Sequence, residues 1–405
     1  MSASIFQNRR FKVLVVHNYL RPPSGENVVF DNEKMLLQNH GNYVISYERD
    51  NSEIAAFRPT EIIPLLWQSI WSQQSYREIH SLLQEHRPDV AHFHNTFPLI
   101  SLASYRACFE QKIPIIQTLH NYRMICPGGL LFRNNQICDV CVKSSLLKGA
   151  LHGCYNDSHV KTTSIVLQTY VHRVLGTFKR VTYFLALNEF CKQLFVKAGL
   201  PEEKILVKPN FIFDFVTPSY VHRGYALYLG RVSPEKDIRT LIQAWRHLTH
   251  RVPLKIAGAG NQLENMKALA TNLHLDEIEF LGYQPKEACE ELVRYSRFLV
   301  IPSKCYETFS LVVREAFAVG KPVVASRLGA LAEAVSSGVT GLTFTPGNPT
   351  DFAAKIDWMV EHEEDIVRMG RNARREYERK YTPEKNYQML MAVYEKAVSS
   401  KRGKA

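Results

Sequence analysis

The chain has 405 residues, of which 45% are hydrophobic and 11% are aromatic, so it can form two globular domains, which excludes a disordered chain. It lacks the ~20 apolar residues of a membrane span, and Met1–Arg10 lacks the apolar core of a signal peptide, so we expect a cytoplasmic protein. The net charge of +11 is dispersed and lacks a recognisable nucleic-acid-binding motif, which argues against nucleic acid as a partner. Phosphorylated substrates, an anionic membrane surface or a merely basic soluble surface all fit this charge.

Apolar strand-length runs alternate with helix-length amphipathic stretches, which is typical of parallel sheets with crossover helices. We predict strands in the first half at 12–17, 43–47, 90–94, 113–119 and 183–187. We predict strands in the second half at 226–230, 254–258, 278–281, 298–302, 323–326 and 342–344. The aperiodic, proline-containing stretch 200–224 is the expected linker, so the domains are 1–200 and 201–382, followed by a helix within 383–405.

A turn-rich loop follows the first predicted strand and leads into a helix near Glu26. We expect backbone amides around Gly25 to approach the phosphate groups of one substrate, or else another substrate that binds nearby. The reason is that the first amides of a helix are unpaired.

Three histidines end predicted strands of the first half. His120 ends the strand 113–119, and its ring can bind a hydroxyl or a phosphate oxygen. His92 and His94 end the strand 90–94, and we expect them to point to opposite faces, with His94 toward the ligand.

Four cysteines, Cys126, Cys138, Cys141 and Cys154, lie within a segment of about 123–158 that reads as an insertion. Cys138 and Cys141 have the two-residue spacing with which thiolates bind one tetrahedral ion. A structural zinc site and four unrelated thiols are both open interpretations, since disulfides are disfavoured in a reducing compartment.

Residues 160–181 combine apolar residues with Lys161, Arg173, Lys179 and Arg180. Such a basic helix can lie on an anionic bilayer, and it can equally be an ordinary core helix.

In the second half, Arg231 follows the strand 226–230 and Lys236 comes five residues later. Both can reach a phosphate at the carboxyl end of a parallel strand. Gly258 and Gly260 end the next strand and allow close approach of backbone to a ligand, or form a simple tight turn.

The segment from Glu307 to Glu315 lies between two apolar runs, so it predicts a strand, a polar turn and a helix. The turn carries Glu307 and the helix carries Glu315. Amides of Thr308, Phe309 and Ser310 are expected to open that helix toward an anionic ligand.

Four motifs occur in order: Tyr-Leu-Gly-Arg-Val-Ser-Pro-Glu-Lys-Asp (228–237), Lys-Ile-Ala-Gly-Ala-Gly (255–260), Ile-Pro-Ser (301–303) and Glu-x7-Glu (307–315). Together they resemble the retaining nucleotide-sugar glycosyltransferases of the GT-B fold, glycosyltransferase family 4. The resemblance implies two Rossmann-like parallel-sheet domains facing across a cleft, with the last helix packing back on the first domain. Members usually have two adjacent glycines in the first loop, where this chain has Ser24 and Gly25.

The resemblance also implies roles for individual residues. Glu315 would accept hydrogen bonds from the ribose hydroxyls, and Glu307 from hydroxyls of the transferred sugar. Arg231 and Lys236 would stabilise the departing diphosphate, Gly258 and Gly260 would approach the base, and His120 would face the donor sugar.

As a reaction, the resemblance implies transfer from a nucleotide-diphosphate sugar to a saccharide or polyprenyl-linked saccharide, with retention of configuration, in the assembly of bacterial surface polysaccharide. Such an acceptor would place the protein at the inner face of the plasma membrane. No Asp-x-Asp ends a predicted strand, so we expect no catalytic metal. The alternatives are a non-catalytic nucleotide-sugar-binding subunit, a hydrolase or epimerase on the same fold, and a zinc-containing dinucleotide oxidoreductase, which the absence of a Gly-x-Gly-x-x-Gly after the first strand disfavours.

Overall fold

The computed structural model describes residues 9–21, 24–55, 62–213 and 217–402. Pro22 and Pro23 of the predicted first loop lie outside these residues, as do 403–405 of the predicted C-terminal segment. The chain forms two compact units. The first unit comprises Met1–Gly129, Asp139–Lys208 and Asn386–Ala405, and the second comprises Leu130–Cys138 and Pro209–Lys385.

The first unit is built on a parallel sheet. The strands of the first half are β1 (Lys12–Tyr19), β2 (Tyr43–Asp50), β3 (Val90–Phe93), β4 (Ile115–Thr118), β5 (Phe132–Arg133), β6 (Gln136–Ile137), β7 (Tyr183–Ala186) and β8 (Ile205–Val207). Six of them form the sheet in the order β2-β1-β3-β4-β7-β8, and β5 and β6 form a separate antiparallel hairpin. Both faces of the central strands are buried, which explains their continuous apolar sequences.

Helices connect these strands. They are α1 (Gly25–Asn39), α2 (Ser52–Ala55), α3 (Ile62–Ile70), α4 (Gln73–His86), α5 (Ala103–Glu110), α6 (Val140–Lys143), α7 (Leu147–Leu151), α8 (His159–Val174), α9 (Thr177–Arg180) and α10 (Glu189–Lys197). Side chains of Ser72, Ser158 and Asn188 cap α4, α8 and α10 by accepting from backbone amides of the first turn.

The second unit repeats this plan. Its strands are β9 (Ala226–Leu229), β10 (Leu254–Ala257), β11 (Ile278–Gly282), β12 (Phe298–Ile301), β13 (Val323–Ser326) and β14 (Gly341–Phe344), in the order β11-β10-β9-β12-β13-β14. The helices are α11 (Ile238–Arg246), α12 (Leu263–Asn272), α13 (Lys286–Tyr295), α14 (Leu311–Ala318), α15 (Gly329–Ala334), α16 (Pro349–Glu361) and α17 (Glu363–Lys380). All described pairings within this sheet are parallel.

A final helix, α18 (Pro383–Arg402), ends the described chain. Its Leu390 and Tyr394 are fully buried in the core of the first unit, together with Val13, Phe30 and Ile116 from α1 and the sheet. The first unit therefore draws its core from chain segments at both ends of the sequence.

The prediction of two parallel-sheet α/β domains is confirmed, and every strand predicted in the two halves forms. One strand of the two main sheets was not predicted, nor were β5 and β6 of the hairpin: β8 lies inside the stretch 200–224 and pairs with β7 at the edge of the sheet. Three residues are too few to show the periodicity of a strand, so the sequence alone does not distinguish them from a linker.

Candidate functional site

The carboxyl edge of the second sheet collects the residues predicted to bind the donor. Arg231 follows β9, Gly258 and Gly260 follow β10, and the loop with Glu307 follows β12. These strands are neighbours, with β9 paired to both β10 and β12. Because the strands are parallel, their carboxyl ends meet at one edge, which is where open α/β sheets bind ligands.

Lys236 and Glu307 form an ion pair at this edge, with 2.6 Å between Nζ and Oε1. The Ser303 hydroxyl donates to the same carboxylate oxygen at 2.6 Å. Burial alone would raise the pKa of Glu307, but Lys236 and these hydrogen bonds outweigh it and lower the pKa. Burial likewise opposes the charge of Lys236, whose pKa Glu307 nevertheless raises. The structure thus joins two predicted site residues 71 positions apart as an ionised pair.

Arg231 is the more accessible cation, with 61% of its side chain exposed. Its Nη2 lies 3.0 Å from Oε1 of Glu235, which also accepts a 2.7 Å hydrogen bond from Ser233. Glu235 is buried, whereas the Arg231 guanidinium is largely exposed, so solvent can reach the cation of this pair.

Gly258 and Gly260 have no room for a side chain. A Cβ on Gly258 would lie 1.8 Å from the carbonyl oxygen of Gly230, and one on Gly260 would lie 2.2 Å from that of Val232. Gly258 also has a φ of 153°. The loops after β9 and β10 therefore touch backbone to backbone, a packing that only glycine permits.

Helix α14 begins at Leu311 with Ser310 at its N-cap, so its first unpaired amides belong to residues 311–313. This differs from the prediction, which placed those amides at Thr308 to Ser310. The turn is longer than expected because residues 302–309 after β12 adopt neither helix nor strand. Phe309 packs against the Arg314 guanidinium at 4.2 Å, which fixes the ring beside the helix.

Glu315 lies in the second turn of α14 and is half-buried. Burial, with the nearby carboxylate of Glu290, raises its pKa to about 7, while Lys286 acts in the opposite direction. A carboxyl group whose pKa is shifted in this way to near neutral pH is typical of a site that binds a ligand.

The carboxyl edge of the first sheet carries the histidines. His17 lies in β1, His94 follows β3 and His120 follows β4. All three are buried, and Nδ1 of His94 lies 2.9 Å from Nε2 of His120. Burial first, and then His94, lower the pKa of His120 well below its usual range, so its ring is neutral.

The prediction that His92 and His94 point to opposite faces is wrong. Nδ1 of His92 and Nε2 of His94 both approach Oε1 of Glu33, at 3.0 and 3.3 Å. Residues two apart in a strand project to the same side, so both rings meet the helix that covers that face.

The first loop places Gly25 at the first residue of α1, where it is exposed. The next residue, Glu26, accepts a 3.1 Å hydrogen bond from Asn121. Burial raises the pKa of Glu26, although Arg123 partly offsets that effect. The N-terminus of α1 therefore lies beside the segment that follows His120.

A cavity of about 70 Å³ opens beside these histidines, lined among others by His94, Phe97, His120, Arg123 and Thr169. The Arg123 guanidinium lies over Phe97 at 4.5 Å and over Tyr155 at 5.1 Å. Nε and Nη1 of Arg123 are buried and have no hydrogen-bond partner among the described residues. A cationic donor thus lines the cavity with unused hydrogen-bonding capacity.

Both halves of the chain match glycosyltransferase families: residues 25–213 match Glycosyltransferase Family 4, and residues 212–376 match Glycosyl transferases group 1. An uncharacterized glycosyltransferase of Methanocaldococcus jannaschii is 31% identical over 290 residues, which are 71% of this chain and 76% of the relative. The chain belongs to glycosyltransferase family 4.

Further similarities agree with this assignment. The N-acetyl-alpha-D-glucosaminyl L-malate synthase of Bacillus anthracis is 26% identical over 319 residues, 77% of this chain and 75% of the relative. The Anabaena protein HepE, solved in complex with UDP and glucose, matches with a TM-score of 0.67 at 18% identity, over 96% of this chain and 100% of HepE. The predicted GT-B type of fold is thereby confirmed for this glycosyltransferase.

The four cysteines of the predicted insertion in this family 4 glycosyltransferase, Cys126, Cys138, Cys141 and Cys154, are half-buried. Cys126, Cys141 and Cys154 belong to the first unit, and Cys138 belongs to the second. A Cβ on Gly149 would lie 3.5 Å from Sγ of Cys141, and the Cys154 amide donates to the Gly149 carbonyl. Within the described residues, the ligand atoms that lie within 4.8 Å of one another belong to Glu33, His92 and His94. Zinc binding by the cysteines stays a prediction.

Glu33 and Lys208 were not predicted as site residues. Glu33 lies on α1, and its Oε2 is 2.7 Å from Nζ of Lys208, which follows β8. The signal that could have identified Glu33 is the position of a charged residue on an otherwise apolar helix face, next to Phe30 and Leu37.

Proposed function

We propose that this glycosyltransferase transfers a sugar from a nucleotide-diphosphate donor to a saccharide acceptor, with retention of configuration and without a catalytic metal ion, in the assembly of cell-surface polysaccharide. The ion pair of Lys236 and Glu307 supports this proposal most directly. It puts a cation and a hydrogen-bond acceptor within 2.6 Å of each other at the carboxyl edge of the donor-binding sheet.

The leaving group is a nucleoside diphosphate, which gains negative charge as the glycosidic bond breaks. Lys236 and Arg231 would stabilise that charge, the first as a point charge and the second through its planar fork. The unpaired amides at the start of α14 would add their partial positive charge. These cations and amides supply the stabilisation that a divalent ion supplies elsewhere.

Retention requires that the new bond forms on the face from which the diphosphate departs. The bond between the anomeric carbon and the phosphate oxygen breaks, and the acceptor oxygen bonds to the same carbon. The acceptor proton passes to the departing phosphate oxygen, so the atoms balance without a protein nucleophile. Glu307, held by Lys236 and Ser303, would orient sugar hydroxyls rather than attack the anomeric carbon.

Glu315 would accept hydrogen bonds from the two ribose hydroxyls of the donor. Its carboxylate offers two oxygens to a vicinal diol. HepE, bound to UDP and glucose, supports a uridine nucleotide as the first donor to test.

We further propose a lipid-linked acceptor and contact with an anionic membrane. Helix α8 buries Ile165 and Val166, yet Tyr170 and Val174 on its other side are 61% and 70% exposed. Leu175, directly after the helix, is 57% exposed beside the exposed Arg173. The helix thus serves the core with one face and presents an apolar and basic face with the other. Within the described residues, the structure has no helix that meets the length and hydropathy of a membrane span.

The test is calorimetry of the purified chain with UDP, GDP and ADP and their sugar conjugates, in EDTA and again with magnesium. Micromolar binding of one nucleotide in EDTA supports a nucleotide-diphosphate donor and binding that needs no metal ion. Binding only with magnesium contradicts the proposed independence of metal. NMR of the glycosylated product then decides the anomeric configuration. Binding without transfer to any saccharide would favour the non-catalytic subunit, and a changed donor sugar would favour an epimerase.

A further inference from the structure

Arg123 follows β4 at the carboxyl edge of the first sheet and is not used by the proposed transfer chemistry. Its guanidinium lies over the ring of Phe97 at 4.5 Å and over that of Tyr155 at 5.1 Å, both measured to the ring centroid. The two rings meet edge to face, with 5.7 Å between their centroids. Cation–π contacts with two rings therefore hold this cation in place without hydrogen bonds to its Nε and Nη1.

The guanidinium lacks the partners that a buried cation normally has. Nε and Nη1 of Arg123 are both buried, and neither has a hydrogen-bond partner in the described part of the chain. In native proteins buried polar atoms are almost always paired, so an exception calls for a specific explanation, such as a role in binding. Because an arginine side chain stays charged in proteins, the fitting partner is an anion.

Glu26 interacts electrostatically with Arg123 but does not supply that partner. Oε2 of Glu26 accepts a 3.1 Å hydrogen bond from Asn121, and Oε1 is buried without a hydrogen-bond partner among the described residues. Asn121 also accepts a 3.0 Å hydrogen bond from the backbone amide of Arg123. If the role of Arg123 were to neutralise Glu26, a direct hydrogen-bonded ion pair would be expected. The structure instead leaves Nε and Nη1 of the guanidinium without a carboxylate partner.

Arg123 also lines the cavity of about 70 Å³ in the first unit. That volume is far below the ~300–1,000 Å³ of pockets that enclose a whole small molecule. The cavity therefore suits one charged group of a larger ligand, whose remaining atoms would lie outside it.

Other polar groups of the cavity wall are already bonded within the protein. The amide nitrogen of Gln117 donates to the carbonyl of His94, and its side-chain oxygen accepts from the Tyr105 hydroxyl. The Thr169 hydroxyl donates to the carbonyl of Ile165 at 3.0 Å. The guanidinium differs from these groups because two of its nitrogens are unused.

Arg123 can reach an anion in the cavity only if its side chain shifts. Nε and Nη1 are covered by neighbouring protein atoms, so a ligand cannot touch them as they stand. Since these nitrogens make no hydrogen bond, a shift toward the cavity breaks none of theirs, whereas contact with an anion forms new ones. The planar fork of the guanidinium matches two oxygens of a carboxylate or a phosphate.

We propose that Arg123, held by Phe97 and Tyr155, binds the negatively charged group of an acidic acceptor. That group is either the carboxylate of an acidic sugar or the phosphate of a lipid-linked saccharide. Arg123 then determines acceptor specificity, because a neutral acceptor would leave its buried donors unpaired. The identification of the ligand as the acceptor rests on the proposed function, whereas the anion site itself does not.

The competing explanation is that Arg123 only packs the segment around Tyr155 against Phe97, with water in the cavity. Buried water commonly bonds to polar groups that have no protein partner. On that explanation a saccharide and its acidic counterpart would bind equally well, so a comparison of the two decides between the explanations.

The first test is NMR of the full chain labelled with ¹⁵N-arginine, without nucleotide, in which an Arg123→Met variant identifies the Nε signal of Arg123. The chain is titrated with acetate, D-glucuronate, D-galacturonate and D-glucose 1-phosphate, and with D-glucose at the same ionic strength. We expect a saturable shift of the Arg123 signal with the anions and none with glucose. The lower Kd, for a carboxylate or for the phosphate, identifies the acidic group. A signal that no anion shifts, or that glucose shifts equally, overturns the proposal.

Variants provide the second arm, with saturation-transfer NMR of the anions as the readout. Arg123→Met should weaken anion binding by at least about tenfold, and Arg123→Lys should weaken it less, because lysine keeps the charge but loses the fork. The matched control is Arg9→Met, which removes another cation of the first unit from a ring, that of Phe11 at 4.7 Å, and should leave anion binding unchanged. Unchanged anion binding in a folded Arg123→Met protein contradicts the proposal.

In transfer assays, the ratio of kcat/KM for an acidic acceptor to that for its neutral counterpart should fall by about 10- to 100-fold in Arg123→Met, mainly through KM. The Kd for free nucleoside diphosphate should not change. An equal loss with both acceptors would contradict the specificity role. Anion binding at Arg123 without any sugar transfer would refute the proposed function and leave the anion site intact, whereas transfer without any anion effect would do the reverse.

Discussion

The two units place their charges in different surroundings. In the second unit, Arg231 is exposed, and the side chains of the Lys236–Glu307 pair are 20% and 10% exposed. In the first unit, the Glu33–Lys208 pair is buried, and burial lowers the pKa of the neighbouring His92 to about 4. We infer from this comparison that the charges of the second unit are accessible to a charged ligand, whereas the Glu33–Lys208 pair belongs to the interior of the first unit.

Among the variants that test this contrast, Lys236→Met has the largest expected effect. We expect kcat/KM to fall by about 100- to 1,000-fold, because the diphosphate loses a cation and Glu307 is left without its ion-pair partner. The assay is sugar transfer or, without an acceptor, donor hydrolysis. The control is Lys267→Met, whose ammonium pairs with the exposed Glu264 and which should leave kcat/KM nearly unchanged. Activity of Lys236→Met close to that of wild type would remove the charge-binding role of this edge.

Glu315→Gln should weaken nucleotide binding by about tenfold, or about 1.4 kcal/mol, since the amide retains one acceptor oxygen but loses the charge. Calorimetry at about pH 8, where Glu315 is ionised, measures the effect. The loss should be equal for all nucleotides that share the ribose. Glu290→Gln removes a neighbouring carboxylate and is the matched control. An unchanged Kd in Glu315→Gln would contradict the ribose role.

The same residue predicts a pH dependence of stability without ligand. The folded-state pKa of Glu315, about 7, lies above its ordinary value of 4.5. The protonated form therefore stabilises the fold fully below about 4.5, and this contribution is lost as the pH rises through 7. Tm should fall over this interval, and Glu315→Gln should reduce the fall. Because the Glu315 side chain is only half-buried, solvent limits the size of this fall in Tm. The same dependence of Tm on pH in the wild-type and Glu315→Gln proteins would contradict the prediction.

A zinc ion bound by the insertion cysteines would add a third charged site, whose role would be to stabilise the fold rather than to bind a ligand. We expect about one zinc per chain by elemental analysis, and a lower Tm after chelation, because metal binding adds to folding free energy. Cys141→Ser should reduce the zinc content, while Cys289→Ser, outside the insertion, should not. Zinc-free protein from zinc-supplemented medium would favour four ordinary thiols.

The smallest effect concerns the membrane face of the first unit. Val174→Asp with Leu175→Asp should reduce co-sedimentation with anionic vesicles several-fold, because it removes apolar contacts and adds repulsion. Val221→Asp with Tyr283→Asp changes equally exposed apolar residues of the second unit and should have no effect. If the fraction of protein that sediments with vesicles did not change with salt or with the charge of the lipid, binding to an anionic membrane surface would be contradicted.

The sequence was most informative where the signal is local. The strands follow from apolar runs of four or more residues, and Lys236 and Glu307 were recognised within contiguous motifs. The first helical amides were predicted a few residues too early, because Ser310 forms the N-cap of α14.

Contacts distant in sequence were not predictable in the same way. Glu33 shares a helix face with Phe30 and Leu37, but its partner Lys208 lies in the stretch 200–224 that was expected to be a linker. Only the placement of β8 at the sheet edge brings Lys208 to α1. The prediction that His92 and His94 point to opposite faces was a geometric error. Side chains alternate along a strand, so residues two positions apart lie on the same face.

The last helix has a consequence for the order in which the protein becomes active during synthesis. Tyr394 of α18 fills the core of the first unit, and its hydroxyl lies 2.9 Å from His92. The ribosome releases this residue only after the whole second unit has been made. The core of the first unit therefore stays incomplete on the nascent chain until α18 has been synthesised.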